Sequence, residues 1–262
     1  MTVAEALRSG GLEPRETRLL LAAATGFSEA AVLAFPERTL PAEAEVRFTA
    51  FIERRRGGEP VAYILGRKEF YGLPLAVNPS VLIPRPETEL LVDLALQREF
   101  LTAVDLGSGS GAVALAIKRH RPHARIVAVE ASAAALEVAK RNAVALGLEV
   151  EWRHGRWSAP LHGERFDLIV SNPPYVAAGD PHLAELRFEP VSALVSGADG
   201  LDAIREIVAA ARAHLADGGW LLLEHGIGQE LAVRKLLQLA GLEEVRTWPD
   251  LAGIPRVCGA RR

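Results

Sequence analysis

Five consecutive residues, Ser171-Asn172-Pro173-Pro174-Tyr175, bring together the groups needed to hold a planar amine. Asn172 offers one amide oxygen as an acceptor. Pro173 and Pro174 carry no backbone N–H and present their carbonyls on a chain whose φ is already fixed. Tyr175 adds a flat ring suited to lying against an amide or a base. The stretch therefore reads as an acceptor-rich clamp for a planar NH2 group. A double proline also ends a central strand for backbone reasons alone, so the clamp gains weight only from what surrounds it. It leaves the end of Phe166 to Val170, a short apolar run that reads as an inner strand of a parallel sheet. The carboxyl end of such a strand faces the ligand crevice.

A second constellation lies upstream. Asp105-Leu106-Gly107-Ser108-Gly109-Ser110-Gly111 follows the first β-like run and leads straight into the helix Ala112 to Lys118. Glycines permit the tight turn and a close approach of ligand to backbone, and the helix N-terminus supplies free N–H donors. The next strand ends at Glu130, where a carboxylate can accept hydrogen bonds from both hydroxyls of an adenosine ribose. Loop and acid together favour an adenosine-containing ligand. The glycine spacing is not that of a dinucleotide site, no lysine in the loop serves ATP phosphates, and Asp105 repels a pyrophosphate. NAD and ATP are therefore weaker candidates.

The elements that must position these groups alternate. β-like runs at Ala103 to Leu106, Arg125 to Val129, Glu149 to Trp152, Phe166 to Val170 and Trp220 to Leu223 are mostly separated by helical segments, which implies a parallel sheet covered on both faces. Glu243 to Trp248 and Arg256 to Ala260 have no helical spacer and should pair as an antiparallel edge hairpin. Residues 84–262 form this larger domain. Pro84-Arg85-Pro86-Glu87-Thr88-Glu89 leads into its first helix, Leu90 to Leu96, with proline and acids where a helix start favours them.

Residues 1–66 read as short helices, with Pro14 opening one, Ser28 capping the next, and Pro41 starting a longer one in which Val46, Phe48, Phe51 and Ile52 recur at helical spacing. Arg54-Arg55-Arg56 closes that helix, where cations suit its dipole. Residues 67–83 hold a short hairpin linking the two domains.

The composition narrows the function classes. With 262 residues, 49% of them apolar, the chain can bury a core large enough for one large and one small domain. No apolar run reaches the ~20 residues of a membrane span and no export signal is visible, so a cytoplasmic protein is expected. A net charge of −3 argues against broad neutralisation of a nucleic-acid backbone. The single cysteine, Cys258, and the scattered histidines give no metal-ligand spacing, and no metal is expected.

The Asp105 to Gly111 loop, Glu130 and the Asn172 to Tyr175 clamp resemble the seven-strand S-adenosylmethionine methyltransferases that modify planar nitrogens. Further segments narrow the likeness: Pro60 to Gly66, Val81 to Glu89, Glu189-Pro190, Gly197 to Leu201 and Leu223 to Gly226. With these the chain resembles, almost end to end, the bacterial peptide-chain release factor glutamine methyltransferases. That resemblance implies an α/β fold: a seven-stranded Rossmann-like sheet with an antiparallel edge hairpin and a small N-terminal helical domain. It implies S-adenosylmethionine as cofactor and S-adenosylhomocysteine as product. Asp105, Gly107, Ser108, Gly109, Ser110, Gly111, Glu130 and Asn172 are then cofactor residues, Trp157 lines the adenine side, and Asn172, Pro173, Pro174 and Tyr175 receive a substrate glutamine. Asn172, Pro173 and Tyr175 are the expected catalytic residues. Ser108 stands where the family more often has threonine, and Glu130 where it more often has aspartate; both keep the required acceptor.

The implied reaction is methyl transfer to a glutamine amide nitrogen of a class I release factor by a monomer, giving N5-methylglutamine. Rival readings are the same chemistry on a ribosomal-protein glutamine, methylation of an exocyclic base amine, and a module that binds S-adenosylmethionine without turnover.

Overall fold

The computed structural model describes residues 1–262 and divides into two compact units, Met1–Arg67 and Lys68–Arg262. The smaller unit is helical: α1 (Val3–Ser9), α2 (Pro14–Thr25), α3 (Glu29–Ala34), α4 (Ala42–Arg56) and α5 (Val61–Leu65). Local chemistry sets their ends. Thr2 and Glu5 form a capping box, Pro14 opens α2, Gly26 closes it in the left-handed region, and the Ser28 hydroxyl accepts from the Ala31 N–H.

On α4, Phe48 and Ile52 face the core with Leu20, Leu21 and Ile64, whereas Val46 is 71% exposed. Two residues before Phe48 lies about 200° around the helix, so the apolar spacing that groups Val46 with the others breaks at that position. The three arginines ending α4 are engaged inside the unit: Arg54 pairs with Glu59, Arg55 with Glu16, and Arg56 donates to the Gly10 carbonyl.

The larger unit begins with a two-stranded hairpin, β1 (Arg67–Phe70) and β2 (Leu73–Ala76). It continues with α6 (Glu89–Leu96), β3 (Thr102–Leu106), α7 (Ala112–His120), β4 (Arg125–Glu130), α8 (Ala133–Leu146), β5 (Glu151–His154) and β6 (Phe166–Ser171). After β6 come α9 (Asp202–His214), β7 (Leu215–Glu224), α10 (Glu230–Leu239), β8 (Glu243–Pro249) and β9 (Pro255–Arg261). The seven strands β3 to β9 form one sheet in the order β5-β4-β3-β6-β7-β9-β8. Neighbours from β5 to β7 run parallel, and β9 pairs antiparallel with both β7 and β8. The sheet class read from the alternation of elements is thus the one observed, including its antiparallel edge.

Successive residues of each inner strand serve opposite faces. Ala103, Ile126, Leu168 and Leu222 pack under α6 and α7, while Val104, Val127, Ile169 and Leu221 pack under α9 and α10. Strands buried on both faces read as near-continuous apolar runs, which is why they stand out in the sequence. Strand β7 starts earlier than the run at Trp220, because a register shift opposite Phe166 and Leu168 lets Leu215 pair with Phe166 across Gly218-Gly219. Strand order reverses between β3 and β6, and this reversal opens a crevice at their carboxyl ends.

Candidate active site

Both constellations emerge at that crevice. The loop after β3 turns through left-handed Gly107, Gly109 and Gly111, and the Gly107 and Ser108 N–H groups donate to the Val129 carbonyl at 2.8 and 3.0 Å. A side chain at Gly107 is excluded twice over: its φ is +81°, and a Cβ would lie 2.9 Å from the Trp157 ring. Over Gly109 the space is open. Glu130, at the end of β4, accepts from the Gly109 N–H on Oε2 and the Ser132 N–H on Oε1, both at 2.8 Å. Each carboxylate oxygen keeps further lone-pair capacity toward a ligand.

Asn142 on α8 braces the loop from behind, donating to the Ser110 and Ala76 carbonyls at 2.9 and 3.0 Å. Its signal in the sequence is a lone asparagine on the apolar face of a helix.

Asp105 is buried beneath the loop and accepts from the Ala114 N–H at 3.2 Å. Burial pushes its carboxyl up to about 7, against the pull of that N–H and with help from the nearby charge of Glu130. Ser108 Oγ and Trp157 Nε1 are buried without a hydrogen-bond partner. Trp157 itself adopts φ +47°, a sparsely populated conformation for a bulky residue, and such positions cluster at functional sites.

At the end of β6, Ser171 donates to the Leu106 carbonyl and thereby locks the clamp strand to the loop strand. Asn172 Nδ2 donates to Thr88 Oγ1 at 3.0 Å, which leaves Oδ1 as its open acceptor. Tyr175 donates its hydroxyl to Glu224 Oε1 at 3.3 Å, and Gln229 Nε2 donates to the Tyr175 carbonyl at 3.0 Å. Farther along, Glu189 is buried and bonds the Ile83 N–H and the Arg85 guanidinium, tying the segment before α6 to the segment after the clamp.

These residues enclose a cavity of about 420 Å³ lined by Thr88, Asp105, Gly107 to Ser110, Glu130, Trp157, Asn172 and Pro174. Gly111 closes the loop behind this lining, and Pro173 and Tyr175 likewise lie outside it, Pro173 buried and Tyr175 turned toward Glu224. Thr88, Asn142 and Glu224 received no role from sequence. Glu224 had a visible signal, an acid directly after three leucines at the end of a buried strand.

The comparisons with known proteins bear on this geometry. Residues 86–188 match the family described as methyltransferase small domain, and residues 2–66 match the PrmC N-terminal domain. A release factor glutamine methyltransferase from Xylella fastidiosa is 55% identical over 85% of this chain and 83% of its own length. One from Burkholderia pseudomallei is 48% identical over 99% of this chain and 96% of its own. The chain belongs to the release factor glutamine methyltransferases.

Among solved structures, this methyltransferase shares its fold with the T. thermophilus 16S rRNA N2 G1207 methyltransferase in complex with AdoMet and guanosine. That match has a TM-score of 0.57 at 24% identity and covers 75% of this chain and 49% of the other. The ribosomal protein L11 methylase of Lactobacillus delbrueckii is a second, with a TM-score of 0.52 at 18% identity over 68% and 80% of the two chains.

The methyltransferase's cavity fits an adenosine-bearing cofactor. Open space over Gly109 lets a ligand come close to the loop, Glu130 is an oriented acceptor, and the Ser108 hydroxyl is an orphaned buried group that a ligand can satisfy.

Proposed function

We propose that the chain transfers a methyl group from S-adenosylmethionine to the side-chain amide nitrogen of a glutamine in class I peptide-chain release factors, giving N5-methylglutamine. The observation that carries this reading is the state of Asn172. Its Nδ2 is committed to Thr88, so the atom left for a ligand is the acceptor Oδ1, on the same cavity as the glycine loop.

Gly107 to Gly111 and Glu130 would hold the cofactor, with Asp105 beneath the loop and Trp157 as the wall beside it. When bound, the cofactor supplies an electrophilic methyl group on a sulfonium. A glutamine nitrogen is a poor nucleophile because its lone pair is delocalised into the carbonyl, so the chain's task is orientation and exclusion of water. Asn172 Oδ1 accepts one N–H of the substrate amide, the Pro173 carbonyl accepts the other, and the nitrogen is thereby fixed with its face toward the cavity. Pro174 lines the cavity beside it, and the Tyr175 ring backs the clamp from outside that lining, anchored through its hydroxyl to Glu224. The proton lost on methylation leaves to the clamp acceptors or to water.

The helical unit, residues 1–66, takes the body of the release factor in this reading, and residues 84–262 carry the chemistry, with 67–83 as the connecting hairpin. The cytoplasm is where such a substrate resides, and no helix is long and apolar enough to cross a membrane. The test is transfer of labelled methyl groups to purified release factors, ribosomal proteins, RNA and DNA side by side, followed by mass spectrometry. One methyl on a release-factor glutamine, absent when that glutamine is changed to alanine, supports the reading. Label on a base, or on a ribosomal protein alone, moves the assignment there.

A further inference from the structure

Behind the clamp lies a buried acid that the transfer chemistry leaves without a role. Glu224, at the end of β7, is 1% exposed, and its Oε2 has no hydrogen-bond partner. Tyr175 alone donates to this buried carboxylate with hydrogen-bond geometry, so a further hydroxyl beside it is under a strong pull to donate. The surroundings of Glu224 are the two ends of the clamp. Tyr175 O–H donates to Oε1, and the Thr88 hydroxyl stands beside the same carboxylate and stabilises its charge. Thr88 is also the partner of Asn172 Nδ2.

We infer that Glu224 is a positioning residue which, through Thr88, sets the direction in which the Asn172 amide faces the cavity. The inference rests on the functional reading above. An ionised carboxylate only accepts, so the Thr88 O–H is drawn to it and the Thr88 lone pairs are left to accept. Asn172 must then turn Nδ2 toward Thr88 and Oδ1 toward the substrate NH2. With a proton on Glu224, or an amide in its place, a donor reaches Thr88 from behind. The Thr88 O–H is released to donate to Asn172, the amide turns over, and two N–H groups meet two N–H groups at the clamp.

The protonation of Glu224 is poised for this. Burial pushes its carboxyl up to about 7, opposed by the Thr88 and Tyr175 hydroxyls and the Arg256 charge, with Glu87 adding to the rise. Arg85 also acts on Tyr175. The neighbouring His225 is held below its ordinary value by burial and adds no opposing charge at neutral pH. The active form carries the ionised acid, so kcat falls as pH drops through the Glu224 value.

The experiment compares wild type, Glu224→Gln, Thr88→Val and Thr88→Ser, using purified release factor and labelled S-adenosylmethionine. Glu224→Gln and Thr88→Val should each lower kcat by about tenfold or more while KM and cofactor affinity change less than about twofold. Thr88→Ser, which keeps the hydroxyl, should recover most of the kcat that Thr88→Val loses. Glu224→Gln should lose the acid limb of the kcat profile, and the double variant Glu224→Gln with Thr88→Val should be no worse than either alone, since both act through one chain. The Asn172 side-chain amide resonance should titrate with the same midpoint as kcat in wild type and not in Glu224→Gln.

Unchanged kcat in Glu224→Gln, or an acid limb that survives it, overturns the inference. Should Glu224→Gln fold poorly, the contrast between Thr88→Val and Thr88→Ser and the Asn172 titration in wild type decide the matter. If wild type methylates some other planar amine instead of glutamine, the functional reading fails, and the same comparison on that acceptor still tests Glu224.

Discussion

The Gly109 N–H donates to Glu130 Oε2 at 2.8 Å, so the acid that faces the cavity from β4 also shapes the loop that leaves β3. Removing the carboxylate withdraws two things at once: an acceptor for ligand hydroxyls and the anchor of the loop. Glu130→Ala should weaken S-adenosylmethionine binding by ~1.5–3 kcal/mol, the range for hydrogen bonds to a charged group. The larger unit's core lies away from this contact, and the thermal midpoint should move little. Titration calorimetry that finds unaltered affinity would exclude Glu130 from the cofactor site.

Asn172→Ala removes the open acceptor and should lower kcat much more than it raises KM for the protein substrate. Tyr175 has two parts with separate jobs, a ring against the clamp and a hydroxyl on Glu224. Tyr175→Phe keeps the first and leaves the buried acid short of a donor, so its activity should fall less than that of Tyr175→Ala and its acid limb should shift to higher pH. Single-turnover rates at saturating cofactor separate these effects. Preserved rates in Asn172→Ala would rule out the clamp mechanism.

The parts of this site legible in the sequence are those built from one short segment. The glycine loop announces itself because left-handed turns need glycine, and the Asn172 to Tyr175 stretch because two prolines cannot continue an inner strand. Strands β3, β4 and β6 were readable because a strand buried on both faces must be apolar throughout. What stayed hidden depends on distant pairs. Thr88 reaches Asn172 from the segment before α6, and Tyr175 reaches Glu224 because β6 and β7 are neighbours; no local propensity encodes which segments the fold brings side by side. The direction of the Tyr175 hydroxyl and the burial of Pro173 belong to the same class.

Asp105 makes stability depend on pH. Its folded value of about 7 lies above its ordinary 3.8, so the native state retains a proton that the unfolded chain gives up between those limits. The contribution is fully present below the ordinary value and is lost as pH rises through about 7. Glu224, raised from 4.5 to about 7, acts in the same direction. Urea midpoints should therefore favour mildly acidic over alkaline buffer for these two groups. Asp105→Asn should shrink that difference by on the order of 3 kcal/mol. An undiminished difference in Asp105→Asn would mean that other groups set it.

Gly200 tests how tightly the clamp's backbone is held. It has φ +78°, and a Cβ there would lie 2.2 Å from the Tyr175 carbonyl oxygen and 2.7 Å from Gln229 Nε2, the two atoms whose hydrogen bond fixes the end of the clamp. Gly179 has a similar φ of +89° but open space where its Cβ would be. Both alanine variants incur the backbone strain of a left-handed residue, roughly 1 kcal/mol, and only Gly200→Ala also displaces Tyr175. Gly179→Ala should then lose a little stability and keep its kcat. Gly200→Ala should lose more stability and about tenfold or more in kcat, while the loop from Gly107 to Gly111 continues to bind S-adenosylmethionine with near wild-type affinity. Equal kcat in the two variants would show that methyl transfer tolerates movement at Tyr175, and would confine the working part of the clamp to Asn172 and Pro173.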